Sequence, residues 1–188
     1  AVPTHALALL PETVTFAQAA TLPVAGLTAL LGLEKAGSLL GRTVLITGAS
    51  GGVGDFAVQL AREAGAHVVA LVRSAERAVR VREIGAHVVA IGTTANVAAA
   101  HGPYDLVFDG VGGDVLASAL PLLAPDGIAV SYGRTIGPTI TFDLGQFFAK
   151  GGLRLYGFIL FHEVHRYPAG VNLARLAHLV AAQRLHPY

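Results

Sequence analysis

The chain has 188 residues, is 53% apolar and 13% charged, and carries a formal net charge of +1, so nothing points to nucleic acid or an anionic membrane as partner. It contains no cysteine, which excludes disulfides and thiolate-bound zinc within it and fits a cytoplasmic setting. No apolar run reads as approaching the roughly 20 residues that cross a bilayer, the start lacks the basic segment of a signal peptide, and the absence of methionine suggests an excised or processed piece.

Residues 1–10 carry no pattern. Residues 12–37 read as two helical stretches, 16–20 and 25–36, broken at Pro23. Residues 44–46 form a continuous apolar run, the kind buried on both faces of a parallel sheet. A glycine-rich turn follows. Val53, Ala57, Leu60, Ala61 and Ala64 then recur at helical spacing, and Gly65 sits where a helix would stop. Residues 66–72 read as a second strand, 75–84 as a helix and 86–91 as a third strand. A polar, alanine-rich connection leads to a fourth strand over 104–109. Residues 114–123 read as a helix, 125–127 as a turn and 128–132 as a fifth strand. A short helix over 142–150, a sixth strand over 153–160 and a closing helix over 171–184 complete the chain. Strands alternate with helices. The expected fold is therefore α/β: a doubly wound, parallel six-stranded sheet (a Rossmann fold) with helices on both faces.

Strand, glycine turn and helix together open a dinucleotide-binding unit. A pyrophosphate needs bare backbone N–H groups at a helix N-terminus. Ser50, Gly51, Gly52, Val53 and Gly54 supply that turn; Gly51 and Gly52 let the main chain come close, and Gly54 lets helix pack on strand. Sites that prefer NAD carry an acid at the end of the second strand to hold the ribose 2′-OH. Here that strand ends Leu71-Val-Arg-Ser74. Arg73 and Arg77 suit a 2′-phosphate instead, with Ser74 as a donor, so NADP(H) is the expected cofactor. Gly110 and Val111 follow the fourth strand, on the carboxyl edge where ligands sit in open parallel sheets. Asp109 ends a buried strand, and a carboxylate bonded to loop N–H groups fits it better than a catalytic acid. His162-Glu-Val-His165 lacks the spacing of a metal motif and falls in an expected loop, so no metal is expected there.

Thr47-Gly-Ala-Ser-Gly-Gly-Val-Gly54 also fits the short-chain dehydrogenases, but those need a Tyr-x-x-x-Lys pair. None of the five tyrosines has a lysine four residues on. Ala19-Ala-Thr-Leu-Pro-Val-Ala-Gly-Leu-Thr-Ala29, Gly51-Gly-Val-Gly54, Ala61-Arg-Glu-Ala-Gly-Ala66, Tyr104-Asp-Leu-Val-Phe-Asp-Gly-Val-Gly112 and Gly127-Ile-Ala-Val-Ser-Tyr-Gly133 together resemble the medium-chain dehydrogenase/reductase superfamily. The zinc enzymes of that superfamily place a cysteine where this chain has Val24, so the resemblance is to the zinc-independent NADPH:quinone oxidoreductase branch.

The resemblance implies hydride transfer from NADPH to a quinone, an enone or a similar activated double bond, with no catalytic side chain in this stretch. It implies that Thr28 lies near the nicotinamide. Backbone around Gly133, and from Phe158 to Leu160, would line the nicotinamide, and Arg134 would either reach phosphate or substrate or be a surface charge. It implies a homodimer through edge strand 153–160. It also divides the chain into leader helices at 1–36, from the edge of a catalytic domain, and a dinucleotide-binding domain at 37–188, expected to be inactive alone. Two alternatives stay open: an enoyl reductase domain of a larger synthase, and a non-catalytic NADP(H)-binding module.

Overall fold

A computed structural model describes residues 2–187. Six parallel strands form one sheet in the order β3-β2-β1-β4-β5-β6. They are β1 (Thr43–Thr47), β2 (His67–Val72), β3 (Val88–Ile91), β4 (Tyr104–Asp109), β5 (Leu123–Ser131) and β6 (Arg154–Gly157). The helices are α1 (Phe16–Thr21), α2 (Leu27–Leu33), α3 (Gly52–Glu63), α4 (Ala75–Glu83), α5 (Gly113–Ala119), α6 (Leu144–Ala149), α7 (Leu160–Arg166) and α8 (Ala169–Ala181). The expected doubly wound sheet is therefore present.

The middle residues of its central strands are apolar on both faces because each face meets a helical layer. Val44, Ile46, Val68, Ala70, Leu106, Phe108, Ile128 and Val130 pack with α2, α3 and α8. Leu45, Val69, Leu71, Val107 and Ala129 alternate with them and pack with α5 and the 3-10 turn Ala95–His101. Strand order reverses between β1 and β4, so β1 sends its chain to β2 on one side while β4 lies on the other.

Several sequence expectations need correction. The leader does not break at Pro23. A π-helical turn, Leu22–Gly26, joins α1 to α2, with the Leu27 N–H donating to the Leu22 carbonyl. The wider turn takes a residue that has no N–H without ending the helix. Helical backbone thus runs from Phe16 to Ala36, 21 residues whose most apolar 18 have a mean hydropathy of 1.5, long and apolar enough by composition alone to cross a membrane. The expectation of no such run was wrong; the structure buries half of this stretch, with Gly32 against the Phe108 ring. A capping box starts it: Gln18 N–H donates to Thr15 Oγ1 at 3.2 Å, and Thr15 N–H to Gln18 Oε1 at 2.9 Å.

Second, the sixth strand is shorter than 153–160. It stops at Gly157, and the chain turns into α7, so His162 and His165 lie on a helix rather than a loop. Third, the turn at 125–127 lies inside β5, where the register against β4 shifts between Tyr104 and Leu106.

One buried charge joins the two ends of the domain. Glu163 on α7 accepts hydrogen bonds from Lys35 Nζ at 2.5 Å and from the Tyr156 hydroxyl at 2.5 Å. Burial by itself raises the Glu163 pKa. The bonds from Lys35 and Tyr156, with the Lys35 charge, outweigh burial and bring it below its ordinary 4.5. A carboxyl depressed in the folded state contributes stability that is complete above the ordinary value and lost as pH falls through the lowered one. Glu163→Gln should therefore cost about 1–3 kcal/mol at neutral pH. In urea unfolding, the gap to the unsubstituted chain should narrow as pH falls below 4.5. A gap that stays constant would contradict the ion-pair account.

Candidate functional site: a cleft at the sheet's switch point

Loops leaving the carboxyl ends of β1, β2, β3, β4 and β5 enclose a cleft of about 430 Å³. Its floor is the turn Gly48–Gly54 and the N-terminus of α3. Gly51 precedes the helix with no side-chain cap, so the first helical N–H groups, at Gly52, Val53 and Gly54, face outward. Gly51 N–H closes the turn on the Gly48 carbonyl at 2.9 Å. Gly54 is packed against that turn: a Cβ there would lie 2.3 Å from the Gly48 oxygen and 2.6 Å from Ala49 Cα. The helix start holds one acid, Asp55, which is buried and paired with Arg80 Nε at 3.0 Å and Gln59 Nε2 at 2.7 Å. Its charge is thereby neutralised locally, and the cleft keeps the positive charges of Arg73 and Arg77. Arg77 approaches Ser50 Oγ at 3.5 Å.

Asp109 holds the opposite wall. It is fully buried. Thr47 Oγ1 donates to its Oδ1 at 2.5 Å, Gly112 N–H to its Oδ2 at 3.0 Å, Val111 N–H to Oδ1 at 3.3 Å, and Ser131 Oγ to Oδ2 at 3.3 Å. Burial pushes its pKa up, and these four bonds draw it back in part. The group is tied to its own loop, as the sequence reading favoured. It does not line the cleft.

Of the residues expected at the site, Ser50, Gly51, Gly52, Val53, Gly54, Arg73, Arg77, Gly110 and Val111 line this one cleft. The others lie outside its lining. Ser74 precedes α4 and makes no side-chain cap. Thr28 is buried in α2. Gly133 packs on the Gly110 carbonyl, where a Cβ would come within 2.3 Å. Arg134 points to solvent. Phe158 and Leu160 are buried in the larger core cluster, because the chain bends inward after β6. Sequence reasoning missed Thr93, Tyr132 and Ile136, which also line the cleft. The available signal was position: each lies in the loop after a strand's carboxyl end.

A doubly wound sheet with an uncapped glycine turn at its switch point defines the dinucleotide-binding class of α/β domains. The chain belongs to the zinc-binding dehydrogenase family, which it matches over residues 52–175, within the quinone oxidoreductase-like medium-chain dehydrogenases/reductases. It is 35% identical over 151 residues to a quinone oxidoreductase of Pseudomonas aeruginosa, a match that covers 77% of this chain and 46% of that protein. A polyketide synthase system protein for spectinabilin from Streptomyces orinoci is 41% identical over 134 residues, 69% of this chain and 6% of that protein. A mycobacterial protein solved in complex with NADPH superposes with a TM-score of 0.86 at 28% identity, covering 97% of this chain and 59% of the other. The chain thus spans about half the length of the quinone oxidoreductase it matches.

The family's description names zinc. Among the described residues no group of three or more His, Asp or Glu side chains could hold a metal, and the sequence has no cysteine. Val24, at the position where the resemblance sets a ligand, is an exposed alkyl side chain. These residues do not fit a zinc ion.

Proposed function

We propose that this chain binds NADP(H) and forms the cofactor half of a reductase that transfers hydride to a quinone, enone or similar activated double bond. One observation carries the reading: Arg73 and Arg77 share a cleft with the open N-terminus of α3, and no acid stands where β2 ends. The arginines suit a 2′-phosphate, and the helix N-terminus suits a pyrophosphate. A bound nicotinamide would supply the hydride; the chain's own residues bind and orient it. The likeness to a quinone oxidoreductase and to a protein solved with NADPH supports the same reading. We divide the chain at 36/37, with the leader helix serving a separate catalytic domain, and expect this half to turn over little substrate alone. Robust quinone reduction by these 188 residues would overturn that last point. The setting we infer is cytoplasmic. Among the described residues no strand pairs with the outer edge of β6, and Leu155 and Ile159 beside it are exposed, which supports a homodimer that extends the sheet.

Titration calorimetry with NADPH and with NADH tests the cofactor assignment. Tight NADPH and weak NADH are expected; no binding of either would end it. Arg73→Glu should then weaken NADPH by about 1.5–3 kcal/mol, the worth of a charge-assisted phosphate contact, and leave NADH nearly unchanged. Equal losses would mean that Arg73 does not meet the 2′-phosphate. An enoyl reductase domain of a synthase is the second reading, favoured by the 41% identity to the polyketide synthase protein. It keeps the same cleft and changes only the neighbouring domains.

A further inference from the structure

Tyr132 is the first residue after β5 and lines the cleft on the side away from Arg73. Its ring packs on Phe108, centroids 4.5 Å apart. Its hydroxyl lies over Gly110, where a Cβ would come within 2.5 Å of the oxygen, so the missing side chain makes room for it. That hydroxyl has no hydrogen-bond partner among the described residues. The neighbouring hydroxyl, Thr135 Oγ1, already contacts the Gly110 carbonyl at 3.4 Å. A half-buried phenol facing a cleft without a partner lacks an interaction that a ligand could supply.

The order of the strands says which part of a ligand it meets. Arg73 follows β2 and Thr93 follows β3; Tyr132 follows β5, on the far side of the glycine turn. A dinucleotide with its 2′-phosphate at Arg73 and its pyrophosphate on α3 must extend its other nucleoside towards β4 and β5. We propose that the Tyr132 hydroxyl hydrogen-bonds the nicotinamide riboside half of the bound dinucleotide and selects for that half alone. This rests on the cofactor reading above. Burial, and then the Asp109 charge, pushes the Tyr132 pKa upward, so the phenol keeps its proton and serves as a donor rather than an acid.

The test compares the unsubstituted chain with Tyr132→Phe, using NADPH and 2′,5′-ADP, which carries the 2′-phosphate but no nicotinamide riboside. The variant should bind NADPH about tenfold more weakly, the usual worth of one hydrogen bond, and bind 2′,5′-ADP as before. Unchanged NADPH affinity would overturn the assignment. Equal weakening of both ligands would also overturn it, since the effect would not belong to the nicotinamide half. If the unsubstituted chain binds neither ligand, the cofactor reading itself fails, which is a different result from either of these.

Discussion

Gly54→Ala should cost the domain several kcal/mol of stability. The added Cβ would lie 2.3 Å from the Gly48 carbonyl oxygen, 2.6 Å from Ala49 Cα and 2.8 Å from the Ala49 carbonyl carbon. All three are backbone atoms of the turn between β1 and α3, so no side chain can swing aside. Alanine is favoured over glycine inside a helix by about 1 kcal/mol, and that gain opposes the clash. The clash is the larger effect, because relieving it means parting α3 from the end of β1, where the core is fully buried. Losses above about 4 kcal/mol are exceptional and come from such overpacking. In a domain of this size that corresponds to a fall in Tm on the order of 10 °C. A thermal melt within 2 °C or so of the unsubstituted chain would show that the turn is more pliable than its geometry indicates.

Gly52→Val should do the reverse: little to the fold, much to the ligand. A Cβ at Gly52 meets only the Ala25 Cβ, at 3.9 Å, which is ordinary contact. The residue begins α3 and lines the cleft, so the valine methyl groups would occupy space in front of the helix N–H groups. A pyrophosphate kept away from them loses charge-assisted hydrogen bonds worth roughly 1.5–3 kcal/mol each. NADPH affinity should fall about 100-fold or more while the melting curve stays in place. Calorimetry and a thermal melt on the same sample decide it. Unchanged affinity would show that the phosphates do not approach Gly52. The two glycines are two residues apart in one motif, yet one faces backbone and the other faces the cleft.

The fold was legible because its signals are local. Apolar runs marked strands, Gly65 and Gly85 marked helix ends, and the glycine turn declared its own geometry. The part of the site that follows from the turn and from the end of β2 was legible for the same reason. Tyr132 was legible only in part: its place after the carboxyl end of β5 was a signal, but what makes it a wall of this cleft is that β5 lies next to β4, a fact of sheet order rather than of sequence. The extent of the sixth strand, read as 153–160 and ending in Phe158-Ile-Leu160, misled for the opposite reason. Phe158 and Leu160 sit in an apolar run that reads as strand, yet pairing ends at Gly157 and both side chains turn into the core. Pro23 shows a local rule losing to its surroundings: the helix is packed against α3 and α8, and a widened turn costs less than giving up that contact. The Lys35–Glu163 pair spans 128 residues of sequence and left no local trace.

Asp109 binds together the ends of three adjacent strands: Thr47 closes β1, Ser131 closes β5, and the backbone of Val111 and Gly112 leaves β4. Fixing the backbone of even one loop residue costs about 1–2 kcal/mol in conformational entropy. Because one buried carboxylate already holds these segments, most of that entropy is surrendered when the chain folds rather than when a ligand arrives. The wall on which Gly110 and Val111 stand is therefore set in advance, and a ligand has only its own freedom to lose on that side.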